Sequence, residues 1–294
     1  MTPTELEPFL RQVRDSVHKQ ADSFITAQNL AASNLDHAVR YSVLNEGKRI
    51  RPALCYASCL AFGGHWQHAN MSALAIELIH CYSLVHDDLP CMDDDDFRRG
   101  QPTCHRQFNE ALALLAGDTL QAMAFHALAL APLEVSLRVT TMDVLASAAR
   151  DMAAGQSLDL DAERAPITLE HLESIHRLKT GALIRASLEM GALAAGVTDL
   201  PSLDGLRRFG SLLGLAFQVQ DDVLDVIGNA QILGKSVGSD ERMGKATYPS
   251  ILGLASAQQL SHHLHAQALA ELLTLEADTK MLLQLTDYLI SRDS

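Results

Sequence analysis

The chain has 294 residues, 48% hydrophobic and 5% aromatic, with 23 basic against 36 acidic side chains and a formal net charge of −13. Such an acidic chain is a poor partner for nucleic acid or an anionic membrane surface, and if its substrate is anionic, metal ions are the obvious mediators. Few aromatics, 17 Gly and 9 Pro exclude a turn-rich all-β chain and favour helix throughout.

Taken in chain order, the first fifteen residues carry acids early and have no apolar signal core. Helical periodicity then predicts Glu5–Gln28, Leu35–Asn45 and Pro52–Ala61. Between the last two lies "GKRIRP", Gly47 to Pro52. Proline suits the first position of a helix, so Lys48 and Arg51 are expected to flank a helix N-terminus, a natural anion site. In the next helix, Met71–Leu89, an apolar body carries Glu77, His80, Ser83 and Asp87 as one narrow stripe. A surface helix has a broad polar face, so a narrow stripe on an apolar body points to a buried helix facing a charged, wet cavity.

That helix runs into "HDDLPCMDDDDFRRG", in which six of the ten residues from Asp87 to Asp96 are aspartates and Arg98 and Arg99 follow at once. Two carboxylates about 4 Å apart repel by about 4 kcal/mol at an effective dielectric near 20, so the cluster adds nothing to stability. Mg²⁺ takes hard oxygen ligands, usually one or two carboxylates plus substrate phosphates, and Asp87-Asp88-x-x-x-x-Asp93 supplies such carboxylates. A solvated acidic loop is the ordinary alternative. Arginine's planar fork suits phosphate, although Arg98 and Arg99 can equally neutralise the neighbouring acids. His80 is read as a donor to phosphate and His86 as a packing residue.

Further helices are predicted over Glu110–Leu130, Leu133–Ser147 and on to Gly155, Leu169–Ala194 and Leu203–Ile227. The apolar stretch Ala111–Leu133 is interrupted by Asp118, Gln121 and His126 and reads as a buried helix, not a membrane span. "KTG", Lys179 to Gly181, sits inside a helical pattern that its glycine can bend. Near the end of Leu203–Ile227, Gln218, Asp221, Asp222 and Asp225 share one face, a second acidic stripe able to hold metal and diphosphate with the first. Gly228–Tyr248, punctuated by Gly234, Gly238 and Gly244 and carrying Lys235 and Lys245, reads as a mobile loop, and several helices follow from Pro249. No repeat or linker interrupts the pattern, which predicts a single all-α domain over 1–294. Cys55, Cys59, Cys81, Cys91 and Cys104 form no paired zinc spacing and fit small core residues in a reducing cytoplasm.

Together, "GKRIRP", "LIHCYSLVHDDLPCMDDDDFRRGQPTCH", "AGD", "KTG", "FQVQDDVLD", "GK" and "GKATYP" resemble, in order and spacing, the trans-isoprenyl diphosphate synthases, and among them the bacterial-type farnesyl diphosphate synthases. The resemblance implies an isoprenoid synthase-like bundle of ten or more helices around a deep central cavity, in a homodimer without a membrane span. It implies three Mg²⁺ ions, with Asp87 and Asp93 holding two, Asp221 the third, and Asp88 and Asp225 in support. Gly47, Lys48, Arg51, His80 and Arg99 would bind isopentenyl diphosphate. Arg98, Lys179, Thr180, Phe217, Gln218, Lys235 and Lys245 would surround the allylic diphosphate, dimethylallyl or geranyl. Asp87, Asp93, Asp221, Arg98, Lys179 and Lys235 would carry catalysis. Tyr82 and Ser83 would set chain length, which favours a C15 product. The alternatives are a geranylgeranyl diphosphate synthase, a helical metal-dependent phosphohydrolase suggested by His86-Asp87, a terpene cyclase, or a non-catalytic partner subunit.

Overall fold

The computed structural model describes residues 5–162, 167–227 and 246–290. Thirteen α-helices among them carry most of the chain. By packing, the chain divides into two compact units, 1–143 with 190–196, and 144–189 with 197–294.

The first unit is built on α4 (Asn70–Asp87). Its Leu74, Ile76, Leu78 and Ile79 are wholly buried and face different sides, so the helix is a core element and not a half-wet one. Around it stand α1 (Leu6–Gln28), α2 (Ser33–Val43), α3 (Ile50–Ala61) and α6 (Glu110–Ala129). A 3₁₀ turn at Trp66–Ala69 brings Trp66 onto Tyr56, with rings stacked at 4.0 Å and Phe9 edge-on at 5.7 Å. The Tyr56 hydroxyl donates to Asn70 Oδ1 at 2.9 Å, tying α3 to the start of α4. Cys55, Cys59, Cys81 and Cys104 are buried as expected, whereas Cys91 is exposed on the acidic turn.

The α4–α6 contact depends on one glycine. A Cβ on Gly117 would collide with the His86 ring, which lies flat against α6 and bonds the Leu114 carbonyl through Nε2 at 2.9 Å. His86 is thus the packing residue the sequence suggests. Helix α6 is long and apolar enough to cross a membrane by length and composition, with 44% of that stretch buried. It is not buried on every side, because Leu114 and Leu115 are about half exposed, at 48% and 49%.

Three boundaries differ from the sequence reading. Helix α3 starts at Ile50, two residues before Pro52, so proline occupies the third position and Arg51 lies inside the first turn. That turn leaves its N–H groups unpaired in any case, so proline costs nothing there. After α4 the chain forms a two-stranded hairpin, β1 (Phe97–Arg98) with β2 (Gln101–Pro102), and a short helix α5 (Cys104–Gln107), none of which a helical period reveals. The helix expected over 169–194 is two helices.

The second unit contains most of α7 (Val135–Ala162), α8 (Leu169–Lys179), most of α9 (Gly181–Ala194), α10 (Leu200–Ile227), α11 (Tyr248–Leu252), α12 (Leu254–Leu273) and α13 (Lys280–Ile290). Helix α10 packs mainly on α12, burying Phe209, Leu213 and Val219 with Leu264, Ala268 and Leu272. The break after Lys179 lets α9 approach α10 closely, since a Cβ on Gly214 would lie 2.9 Å from the Gly181 Cα. Helix α11 begins with a reciprocal cap between Thr247 and Ser250.

Gly117→Ala is expected to destabilise the chain by about 1–3 kcal/mol in denaturant titration, because its methyl group overpacks the α4–α6 seam. The cost should shrink in a His86→Ala background, which removes the colliding ring.

Candidate active site

The acidic motif of the first unit lies at the C-terminal end of α4. Asp87 is its last residue and Asp88 its cap. A helix C-terminus carries partial negative charge from unpaired carbonyls, so aspartates there are disfavoured and cations are attracted. The following turn is fixed by backbone bonds. Asp93 N–H donates to the Asp87 carbonyl at 2.8 Å, Met92 N–H to Leu89 at 2.8 Å and Asp94 N–H to Leu89 at 3.2 Å. Asp87 and Asp93 therefore hold neighbouring stations on a closed turn.

Arg98 neutralises part of this charge. Its Nε donates to Asp88 Oδ1 at 2.7 Å and its Nη2 to Asp95 at 3.2 Å. Asp88 is buried, and burial raises its carboxyl pKa although Arg98 pulls the other way. Arg99 is turned elsewhere. It and Gly100 occupy the hairpin tip with φ of 54° and 76°, a type I′ arrangement that suits a two-residue turn. The Arg99 guanidinium reaches back to the loop before α3, donating to Asn45 Oδ1 and the Glu46 carbonyl, both at 3.0 Å. A Cβ on Gly47 would lie 2.5 Å from Arg99 Nη1 and 3.1 Å from Arg49 Nη1, so a side chain there would displace the Arg99 guanidinium.

His80 sits seven residues, about two turns, before Asp87 on α4. Arg51 Nη1 is 3.3 Å from its Nε2. Burial first, then Arg51, Arg99, Arg49 and Arg98, hold the imidazole well below its ordinary pKa. A neutral ring accepts from arginine at Nε2 and keeps its proton on Nδ1. The first unit thus brings Gly47, Arg51, His80 and Arg99 together as a cationic pocket on the helix that ends in the acidic turn, with Lys48 on the same short loop.

Tyr82 is partly buried on this helix, edge-on to His86 at 5.2 Å and hydrogen-bonded to the Gln121 side chain. Burial first, then Asp87 and Asp118, raise its phenol pKa. Ser83 turns its hydroxyl back to the His80 carbonyl at 2.9 Å.

In the second unit, Asp221, Asp222 and Asp225 occupy the last two described turns of α10. Asp222 and Asp225 are buried and Asp221 partly exposed, as are Phe217 and Gln218. Asp222 Oδ2 accepts from the Tyr248 N–H at 2.9 Å, which ties the start of α11 to this motif. Lys179 ends α8 and pairs with Asp159 at 2.6 Å, with Thr180 at the break between helices. Lys235 and Lys245, and the loop expected over Gly228–Tyr248 up to residue 245, lie outside the described residues.

Sequence reasoning missed Asp159, Asn45 and the buried pair of Arg49 with Glu77. Glu77 stood out as polar on an apolar helix, but nothing in a linear pattern names its partner. Among the described residues no three histidines, cysteines or carboxylates converge as a ready cage for a metal. The donor set nevertheless suits a hard cation, since Asp87 and Asp93 present carboxylates on one closed turn and Asp221, Asp222 and Asp225 present them on α10, while a bound anion would supply further oxygens.

The polyprenyl synthetase family matches residues 32–285. The chain is 45% identical over 299 residues to farnesyl diphosphate synthase of Escherichia coli (strain K12), covering 99% of each. Among solved structures it resembles an FPP/GFPP synthase from Zymomonas mobilis, with a TM-score of 0.88, 34% identity and 98% and 100% of the two chains covered. It also resembles a geranyltransferase from Helicobacter pylori complexed with magnesium and isoprenyl diphosphate, with a TM-score of 0.81, 32% identity and 99% and 98% covered.

His176 on α8 stacks on Tyr248 at 5.5 Å, and burial lowers its pKa to about 4. A folded-state value depressed below the unfolded 6.5 gives stability that is present above pH 6.5 and lost as pH falls towards 4. Between pH 7 and 5 the chain should therefore lose about 1–2 kcal/mol through this residue. A His176→Phe variant, which keeps the ring stack, should show a correspondingly flatter dependence in denaturant titrations.

Proposed function

The chain belongs to the polyprenyl synthetase family, and on that premise we propose that it joins isopentenyl diphosphate to dimethylallyl and then geranyl diphosphate, making (2E,6E)-farnesyl diphosphate and releasing diphosphate. It is a trans-prenyltransferase acting on diphosphate substrates. The observation that carries the assignment is the cationic pocket around His80 on the same helix as the Asp87–Asp93 turn.

Isopentenyl diphosphate is held by Lys48, Arg51, His80 and Arg99 beside Gly47. Its anionic charge offsets the arginines that keep His80 neutral, and arginine forks match phosphate oxygens. The allylic diphosphate belongs to Lys179, Thr180, Gln218 and Phe217, with Lys235 and Lys245, and to Arg98 beside the first acidic turn. Asp87, Asp93 and Asp221, with Asp88 and Asp225 in support, hold Mg²⁺, three ions in this reading. Bound Mg²⁺ neutralises charge that develops on the leaving diphosphate. The basic side chains stabilise the same charge by hydrogen bonding. The allylic C–O bond breaks, the double bond of isopentenyl diphosphate attacks the resulting carbocation, and a proton leaves to the departed diphosphate. No serine or cysteine nucleophile is needed. A phosphohydrolase would leave the arginine pocket without a role.

We place the polyprenyl synthase domain over 1–294 and the enzyme in the cytoplasm as a homodimer. The dimer reading is supported by Leu114 and Leu115, large apolar side chains about half exposed on the largely apolar α6. The C15 product is supported by Tyr82, a bulky ring on α4 five residues before Asp87, braced by His86 and Gln121. A C20 product is the competing reading, and chromatography of labelled product from isopentenyl and geranyl diphosphates separates the two.

Product formation should require Mg²⁺ and both diphosphates. Asp87→Ala and Asp221→Ala should each reduce kcat by about 10²-fold or more with the thermal midpoint kept or raised. Full activity in excess chelator would overturn the metal-dependent reading.

Tyr82→Ala should let farnesyl diphosphate serve as an allylic substrate, moving product from C15 towards C20 while the first condensation is largely preserved. An active variant that still stops at C15 would assign the floor of the tail site to another residue.

A further inference from the structure

We infer that the buried Arg49–Glu77 pair positions the isopentenyl diphosphate pocket, as a clamp that binds no substrate itself. The inference rests on the prenyltransferase reading and adds to it two residues with no role in the chemistry above.

Arg49 lies in the middle of the basic loop, between Lys48 and Arg51, yet its side chain is 4% exposed and that of Glu77 1%. Its donors are committed to protein. Nη1 donates to Glu77 Oε1 at 2.6 Å, while Nη2 donates to the Val43 carbonyl at 2.7 Å and also to that of Asn45. One guanidinium therefore gathers the end of α2, the loop and the middle of α4. The residue also has φ of 51°, a left-handed conformation that non-glycine residues seldom adopt. Strain of this kind persists only where the surroundings over-determine it. It is located immediately before α3, where it sets the direction in which the helix leaves.

The consequence is register. Glu77 and His80 are three residues apart on α4 and so lie on one face. Arg49 and Arg51 are two apart across the start of α3. Holding Arg49 on Glu77 brings Arg51 to His80, at 3.3 Å. The same guanidinium backs Gly47, against which Arg99 closes from the hairpin. Arg49 thereby supports each of Gly47, Arg51, His80 and Arg99. Glu77 also offsets one positive charge where Arg49, Arg51, Arg98 and Arg99 all act on His80. A buried ion pair is commonly replaceable by apolar side chains without loss of stability, so retention of the fold alone does not demand this one.

The test is steady-state kinetics with each diphosphate varied in turn. Arg49→Lys keeps the charge but loses the planar fork. The paired replacement Arg49→Met with Glu77→Leu removes both charges and so leaves no unpaired charge in the core, although the Val43 and Asn45 carbonyls lose their donor; Arg49→Lys, which keeps a donor there, guards against simple unfolding. Both variants are expected to melt near the parent and to raise the KM for isopentenyl diphosphate about tenfold or more, with the allylic KM within about twofold and kcat within about threefold. An unchanged isopentenyl KM in either folded variant, or a parallel rise in both KM values, would overturn the inference. Arg51→Ala and Lys179→Ala serve as controls. If Arg51→Ala raises the isopentenyl KM and the Arg49 variants do not, the clamp is refuted while the pocket stands. If Arg51→Ala and the Arg49 variants all leave it unchanged, the pocket and the clamp fall together.

Discussion

Negative charge gathered on two helices is the constraint around which this protein is organised. Asp87 and Asp88 end α4, and Asp221, Asp222 and Asp225 lie together on α10. At the end of α4 the charge works against the helix dipole by an amount of order 0.3–1 kcal/mol per charge at an exposed end. Mutual repulsion of the carboxylates adds to that cost. On the proposed reading, an arrangement disfavoured in the protein alone would be favoured once cations and a polyanion arrive, because the carboxylates would then act together as a hard, oxygen-rich sink. Local backbone bonds keep the first turn in shape before that happens, as the Asp93 to Asp87 bond illustrates.

The complement to this charge is built from arginines that differ in what they touch. Arg98 faces inward to Asp88 and lowers the repulsion of the turn. Arg99, next in sequence, is swung away by the left-handed hairpin tip and closes on the loop before α3. Arg49 is buried on Glu77, and Arg51 meets a neutral histidine. Four similar side chains within one unit thus meet a carboxylate of the acidic turn, the loop before α3, a buried glutamate and a histidine. What separates them is backbone conformation: Arg49 and Arg99 both have positive φ, and two adjacent arginines on an ordinary strand would point to opposite faces.

Periodicity made most of the helical framework legible, because a helix that buries one face writes a 3.6-residue repeat into its sequence. Ends were read less well. Pro52 was expected to open α3, yet the helix begins two residues earlier, since proline is tolerated throughout the unpaired first turn. The helix over 169–194 is interrupted at Thr180, where Gly181 and Gly214 let two helices come together, and a linear pattern contains no record of that partner. The hairpin at Phe97–Pro102 was invisible because strands of two residues have no period to detect. Helix α6 was read as a buried helix because Asp118, Gln121 and His126 interrupt an apolar stretch, but composition does not distinguish a core helix from one whose outer face is bare.

The sequence by itself determined the helical class and the chemistry of the motifs, because aspartates and arginines carry the same charge and hydrogen-bonding groups wherever they sit. Only the tertiary structure decided which charges cancel within the protein and which stay for a ligand. Asp88 with Arg98, Lys179 with Asp159, and Arg49 with Glu77 are pairs between residues 10, 20 and 28 positions apart. Glu77 illustrates the difference. In the sequence it belongs to the same polar stripe as His80 and Asp87, whereas in the fold it is sealed against an arginine from another element. The physical reason is that helical periodicity assigns a residue to a face, while its solvation and its partner are set by what packs over that face.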